Sequence, residues 1–143
     1  SNKYLQINKD LIPTGKIKNV KNSIYDFLKF NNIGKKLNFF KNKKIDQKHK
    51  GFDTTYIVNK NSRNFVGSLK NNNSNVQVDF FSNLPGVQLY SAQNLSYKKK
   101  LFPYQGICLE TQYFPDTPNK KNFPSTLIKA NKRYTCFTKI KIY

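Results

Sequence analysis

Residues 134–142 alternate between two sets of side chains, and this period of two constrains the fold more than any other feature of the sequence. Every second position carries a member of the first set: Tyr134, Cys136, Thr138, Ile140 and Ile142. The positions between them carry the second set: Thr135, Phe137, Lys139 and Lys141. Because successive side chains of a strand point to opposite faces, the pattern predicts a half-buried β-strand.

A second alternating stretch lies near the middle of the chain. Val76, Val78 and Phe80 alternate with polar residues, and the turn sequence 84–86, Leu-Pro-Gly, then leads into residues 87–91. Two alternating runs joined by a short turn are typical of a hairpin, which we predict here.

Further strands are predicted at residues 54–59, 64–70 and 106–111, with loops at the asparagine run 71–73 and at the proline-containing segment 114–124. Five or more strands, and aromatic residues that are all Phe or Tyr, favour a single all-β region over residues 1–143.

Two segments interrupt this pattern. Ser23 followed by Asp26 resembles a helix-capping box, which allows at most a short helix with Ile24, Phe27 and Leu28 on one face. Residues 35–50 hold seven Lys and one His with little apolar content, so a solvated lysine-rich loop is predicted there.

The charge balance is strongly basic, with 26 Lys and Arg against 7 Asp and Glu and a formal net charge of +19. Such a balance can indicate a nucleic-acid partner. Only Arg63 and Arg133 are arginines, however, and Arg is the residue that recognises bases and phosphates with two hydrogen bonds. We therefore predict dispersed surface charge and no specific nucleic-acid partner, and a functional basic patch stays open as the alternative.

Cys108 and Cys136 have neither the number nor the spacing of a disulfide framework or a zinc site. They are predicted to be buried free thiols, and no metal is expected. No apolar run approaches the roughly 18 residues of a membrane span, and no secretory signal is visible. A cytoplasmic protein without a membrane partner is the default expectation.

The carboxylate of Glu110 lies in a predicted strand, where it could be held in a fixed position. If residues 106–111 form a strand, Ile107 and Leu109 face the core while Cys108 and Glu110 face the other way. A carboxylate held on a rigid strand can act as a general base. The alternative is an exposed strand glutamate without a chemical role, and spacing alone does not choose between them.

The surrounding sequence resembles the aldose 1-epimerase (galactose mutarotase) family. Residues 106–119 read G-I-C-L-E-T-Q-Y-F-P-D-T-P-N, followed by N-F-P-S. Three more blocks resemble those of the family, in family order: L-I-P-T-G at 11–15, G-F-D at 51–53 and P-G-V-Q-L-Y at 85–90. The resemblance covers essentially the whole chain.

The resemblance implies the C-terminal part of an antiparallel β-sandwich, the galactose mutarotase-like supersandwich. It also implies interconversion of the α and β anomers of an aldohexose such as glucose or galactose, without a cofactor. Glu110 would take the proton of the C1 hydroxyl while a histidine protonates the ring oxygen. Asp53 and Gln88 would bind the sugar. Their alternatives are a turn-stabilising aspartate and an exposed strand amide.

Three departures from the family pattern bear on this expectation. Thr54 and Thr55 replace the family's H-N, and the loop between Gln88 and Glu110 is shorter than usual. The family's acid histidines lie upstream of the matched region, and His49 is predicted to be a solvated loop residue without a catalytic role. We therefore expect an enzyme that is incomplete without an N-terminal half, which could be a separate chain. The alternative is a non-catalytic carbohydrate-binding protein.

Overall fold

The computed structural model describes residues 1–42, 46–59 and 63–143. These residues form eight strands and one α-helix, in this order: β1 (Lys3–Ile7), β2 (Pro13–Asn19), α1 (Ile33–Lys41), β3 (Asp53–Ile57), β4 (Phe65–Asn71), β5 (Val76–Ser82), β6 (Gly86–Tyr90), β7 (Cys108–Gln112) and β8 (Thr138–Ile142). The strands build two antiparallel sheets, one in the order β2-β1-β3-β6-β7 and the other in the order β4-β5-β8. The all-β class is confirmed. No helix within the described ranges is long and apolar enough to cross a membrane.

The main core covers one face of the five-stranded sheet. Tyr56 of β3 and Val87 and Leu89 of β6 point to this face and pack beneath the chain that connects β2 to β3. Phe52, which has no exposed surface, lies at its centre and contacts the ring of Phe40 edge to face, with centroids 5.1 Å apart. Burial at this face leaves the opposite face of the same strands for polar side chains.

Helix α1 lies within the segment that was predicted to be a lysine-rich loop, so the loop prediction is wrong for residues 35–41. The side chain of Asn32 caps the helix by accepting the backbone N–H of Lys35 at 2.9 Å. Leu37 and Phe40, three residues apart, are the apolar stripe that the helix buries, which is enough to dock it on the core. Residues 43–45 of the predicted loop lie outside the described residues.

The short helix considered at Ser23 does not form. The Ser23 hydroxyl donates to the carbonyl of Val20 at 2.6 Å and accepts the N–H of Tyr25, while the Asp26 carboxylate accepts the N–H of Leu28. These bonds close successive turns rather than cap a helix.

The predicted hairpin between β5 and β6 is also wrong, because the two strands belong to different sheets. Strand β5 pairs with β4 and β8, whereas β6 pairs with β3 and β7. The carbonyl of Pro85, in the predicted turn, accepts the N–H of Val58 at 2.8 Å. The connecting segment therefore passes from one sheet to the other instead of folding back on itself.

The three-stranded sheet carries an apolar face that the described chain leaves open. Phe80 of β5 lies directly opposite Ile140 of β8, and Val78 lies opposite Ile142. Ile140 and Ile142 are 56% and 73% exposed. Strand β8 thus covers only residues 138–142 of the predicted 134–142, and the prediction that it is half-buried is wrong. The side chains of Thr111 and Thr138 are hydrogen-bonded and connect the edge strand β7 of the first sheet to β8.

The two cysteines are free, as predicted, but they are not both buried. Cys108 is partly buried, and Cys136 lies exposed just before β8.

Candidate active site

A band of polar side chains crosses the five-stranded sheet on the face opposite the core. Gln88 of β6 lies directly between Thr55 of β3 and Glu110 of β7 in the strand register. The next row of the sheet holds Asp53, Tyr90 and Cys108. Since side chains two residues apart on a strand share a face, both rows point to the same side.

These strands form the floor of an open groove of about 290 Å³. Its lining residues are Asp53, Gln88, Tyr90, Glu110, Gln112 and Pro115. The three residues singled out in the sequence, Asp53, Gln88 and Glu110, are therefore brought together, although 57 positions separate the first from the last. Strand pairing alone accounts for this, because β3, β6 and β7 are consecutive in the sheet.

A directed chain of hydrogen bonds runs across the groove floor. The Thr55 hydroxyl donates to Oε1 of Gln88, and Nε2 of Gln88 donates to Oδ1 of Asp53 at 2.6 Å. These bonds orient the Asp53 carboxylate and the Gln88 amide relative to each other. One N–H of the Gln88 amide and the second oxygen of Asp53 are not used by these bonds.

Glu110 is the only glutamate of the sequence, and its side chain is exposed at the edge strand. Among the residues that the structure describes, none donates a hydrogen bond to its carboxylate or forms an ion pair with it. A carboxylate without a protein partner keeps its lone pairs for a ligand, which is what a base requires. The hydroxyl of Tyr90, at the other end of the groove, accepts the backbone N–H of Asn94 at 3.2 Å, so its own proton is available for donation.

Asp53 is held in place by a buried polar cluster at the entry to β3. The N–H of Phe52 donates to the Ser91 hydroxyl at 2.8 Å, and this hydroxyl donates to Oε1 of Gln93 at 3.0 Å. Gly51 is required here because a Cβ would stand 2.4 Å from the Ser91 oxygen. The G-F-D sequence thus fixes where the strand, and with it the carboxylate, begins.

The wall beside Glu110 is built by the chain that follows β7. Phe114 packs edge to face on Phe123, and both rings join Leu5 in a small second core. Hydrogen bonds from Asn119 and Lys120 lower the pKa of Asp116, which is thereby engaged in its own turn. The carboxylates left to line the groove are those of Asp53 and Glu110.

His49 lies outside this groove. It lines a neighbouring cavity of about 300 Å³ together with Tyr25, Phe40 and Lys48, and its Nε2 is 2.8 Å from the carbonyl oxygen of Lys9. Asp53 borders both cavities. Within the described ranges, no three His, Cys, Asp or Glu side chains are grouped so that they could hold a metal ion.

The sequence did not identify Thr55, Tyr90 or Gln112 as site residues. Thr55 was noted only as a replacement within a family motif. Tyr90 and Gln112 follow Gln88 and Glu110 by two positions, so the period of two could have placed them on the same face. The pairing of Thr55 with Gln88 depends on the register between distant strands, which a single sequence does not reveal.

Comparison with known proteins identifies the relatives of this chain. A sequence profile of the aldose 1-epimerase family matches residues 1–141. Galactose mutarotase of Homo sapiens is 30% identical over 139 residues, which are 92% of this chain and 38% of the human protein. Aldose 1-epimerase of Haemophilus influenzae is 29% identical over 96% of the chain and 42% of that protein. The chain thus spans about two fifths of the length of these curated relatives.

Solved structures show the same fold. An aldose epimerase homologue from C. elegans superposes with a TM-score of 0.79 at 17% identity, covering all of this chain and 42% of the other. Galactose 1-epimerase from Lactobacillus acidophilus superposes with a TM-score of 0.62 at 20% identity, again over 42% of its length.

Proposed function

The chain belongs to the aldose 1-epimerase family, and from this premise we propose that it carries the base and part of the sugar site of an enzyme that interconverts the α and β anomers of aldohexoses. The proposal rests on the row formed by Thr55, Gln88 and Glu110, with Asp53 beside it. In the groove, the Glu110 carboxylate has no partner among the described residues, and it lies next to the Gln88 amide and the Asp53 carboxylate, which orient each other by a hydrogen bond.

In the proposed reaction, Glu110 accepts the proton of the C1 hydroxyl of the bound pyranose. The electron pair of that O–H bond forms the C1 carbonyl as the bond from C1 to the ring oxygen breaks, and an acid protonates the ring oxygen. Rotation about the C1–C2 bond and reversal of the steps give the other anomer. Asp53 accepts a hydrogen bond from a sugar hydroxyl, and the free N–H of Gln88 donates one.

The acid is proposed to come from outside this chain. His49 is the only histidine of the sequence, and it lines the neighbouring cavity rather than the groove. The relatives are about two and a half times as long as the matched region. An N-terminal portion of the family fold, joined to this chain or separate from it, would supply the acid.

Asp53→Asn and Gln88→Ala should act mainly on sugar binding. Each change removes a contact that the sugar makes on binding, so KM should rise by an amount set by roughly 1 to 3 kcal/mol, or about 5- to 150-fold, with a smaller effect on kcat. Initial rates of mutarotation, followed by polarimetry over a range of sugar concentrations, measure both parameters in the complete enzyme.

The second sheet offers a matched control. Nε2 of Gln77 donates to Oδ1 of Asp79 at 2.9 Å, which is the same pair of residue types away from the groove. Asp79→Asn and Gln77→Ala should leave KM within about twofold of the parent. Equal increases in KM for the two pairs would mean that the effect is general destabilisation and that Asp53 and Gln88 do not bind sugar.

A non-catalytic sugar-binding protein is the second candidate, because the groove holds polar groups but no histidine among its lining residues. This candidate predicts that sugars bind, by calorimetry or ligand-observed NMR, and that no form of the protein accelerates mutarotation. Accelerated mutarotation in the assembled protein would exclude it.

The positive charge is proposed to be a dispersed surface property. Exposed lysines occur on both sheets, on the helix and on a loop: Lys16, Lys18, Lys35, Lys41, Lys98, Lys99, Lys100, Lys139 and Lys141. We expect binding to DNA or RNA at low salt to weaken by orders of magnitude between roughly 50 and 200 mM salt, without sequence preference. Fluorescence anisotropy with two duplexes of unrelated sequence tests this. Submicromolar, sequence-dependent binding at the higher salt would instead establish a nucleic-acid function.

A further inference from the structure

Thr55 is a residue to which the proposed reaction assigns no part, yet it lies at the start of the hydrogen-bond chain on the groove floor. Its side chain is 3% exposed, and its hydroxyl donates to Oε1 of Gln88 on the neighbouring strand. We propose that Thr55 is a positioning residue that fixes the orientation of the Gln88 amide, and through it the donor that Gln88 presents to the groove.

The direction of each bond follows from the chemistry of the groups. An ionised carboxylate only accepts hydrogen bonds, so Gln88 must turn its amino group towards Asp53. The carbonyl oxygen of Gln88 then faces Thr55, whose hydroxyl has to donate. A hydroxyl can supply that proton, whereas an aliphatic side chain of the same shape cannot.

The rotamer of Thr55 is fixed from its other side. A Cβ built on Gly86 would lie 3.1 Å from the Cγ2 methyl of Thr55, so this methyl fills the space beside the glycine. With the methyl held there, the hydroxyl points along the sheet to Gln88. Gly86, the glycine of P-G-V-Q, therefore makes room for the methyl of Thr55, which follows G-F-D by two positions, and so helps to direct the Thr55 hydroxyl to Gln88.

The consequence for the groove is a defined pattern of hydrogen-bonding groups. With its carbonyl and one N–H engaged by Thr55 and Asp53, Gln88 keeps its second N–H unused in the groove that Asp53 and Glu110 also line. Without the Thr55 hydroxyl, the Gln88 carbonyl loses its buried partner, and the amide is free to swing out of the orientation that serves a ligand. The inference rests on the proposed function for its effect on sugars, but its structural part stands independently.

The structural part is tested by NMR of the side-chain amide of Gln88, assigned by the loss of its signals in Gln88→Leu. In the parent we expect two well-separated amide protons and a through-space cross peak between the Thr55 hydroxyl proton and the Gln88 side chain. Thr55→Val, which keeps the shape and the methyl, should collapse the separation, and Thr55→Ser should preserve it. A parent protein without the cross peak would overturn the proposal even if the valine variant did not fold. Unchanged amide signals in a folded Thr55→Val variant would overturn it as well.

The functional part is tested by kinetics on the complete enzyme. Thr55→Val should raise KM about three- to tenfold with kcat within about twofold of the parent, and Thr55→Ser should restore KM. On a Gln88→Ala background, Thr55→Val should add nothing, because the group that it positions is gone. An equal increase on both backgrounds would show that Thr55 acts independently of Gln88. A protein with the expected amide signals but no mutarotase activity in any form would refute the proposed function and leave the positioning role intact.

Discussion

Replacing Glu110 by Gln should lower kcat by about 10²- to 10⁴-fold while sugar binding changes little. Gln keeps the size of the side chain and a hydrogen-bonding oxygen, but it does not accept a proton at neutral pH. The loss therefore falls on the transition state, where the C1 hydroxyl is deprotonated, rather than on the bound ground state. Polarimetry gives kcat, and calorimetry of the same variant gives the affinity for the sugar.

Because Glu110 is exposed, its replacement by Gln should affect catalysis without affecting the stability of the fold. No described residue hydrogen-bonds to the carboxylate, so the amide leaves no protein partner unsatisfied, and the free energy of unfolding should change by no more than about 0.5 kcal/mol. Asp79→Asn, which neutralises a carboxylate of the other sheet, is the matched control and should retain parental kcat. If Glu110→Gln raised KM and left kcat within about threefold of the parent, Glu110 would be a binding residue and another group would be the base.

Six of the eight strands, β3 to β8, were predicted from the sequence, whereas β1 and β2 were missed. Alternation located β5 and β8, the turn at 84–86 located the start of β6, and the predicted strands at 54–59, 64–70 and 106–111 match β3, β4 and β7 within a few positions. Alternation could not say which strands pair, and Pro85 was therefore assigned to a hairpin, whereas its carbonyl accepts the N–H of Val58 just after β3. Helix α1 was missed because two buried residues, Leu37 and Phe40, hold it among many lysines. Burial, which decides between helix and loop there, is a property of the folded chain.

In the candidate site, too, the sequence predicted individual residues but not the contacts between them. Asp53, Gln88 and Glu110 were found through their motifs, and the structure brings them into one groove. The pairing that makes Thr55 the neighbour of Gln88 is set by strand register, and the unused proton of Tyr90 follows from a bond to the backbone of Asn94. The register cannot be read from a single sequence, because it joins strands that are distant along the chain, and the local bond between Tyr90 and Asn94 depends on how the loop after β6 turns back.

The open face of the second sheet is a candidate docking surface for the N-terminal portion proposed above. Val78, Phe80, Ile140 and Ile142 form a contiguous apolar surface, and the polar face of the same strands carries Lys139 and Lys141. Burying such a face is strongly favourable, at about 25 cal/mol per Å². We propose that the remaining portion of the family fold, about three fifths of the length of the relatives, covers it and brings the acid to the groove.

Mutarotation should therefore depend on that portion. The 143-residue chain alone is expected to convert α-glucose or α-galactose no faster than buffer, because acid catalysis at the ring oxygen is worth about 10²- to 10⁴-fold and the only histidine of the sequence, His49, does not line the groove. Adding the N-terminal portion, fused or as a separate polypeptide, should accelerate the reaction by at least that factor. Polarimetry across a titration of the added portion gives both the rate and the affinity of assembly.

Two substitutions on β8 test whether the N-terminal portion binds to the open face. Ile140→Lys places a charge on the apolar surface and should weaken assembly by several kcal/mol, because the charge would have to be buried without a partner. Lys141→Gln changes the neighbouring residue on the opposite face and should leave assembly within about twofold. Ile140 is exposed in the chain alone, so its substitution should scarcely change the stability of that chain. Clear mutarotase activity of the pure 143-residue chain would show that its acid lies within it, and His49 would be the first residue to substitute.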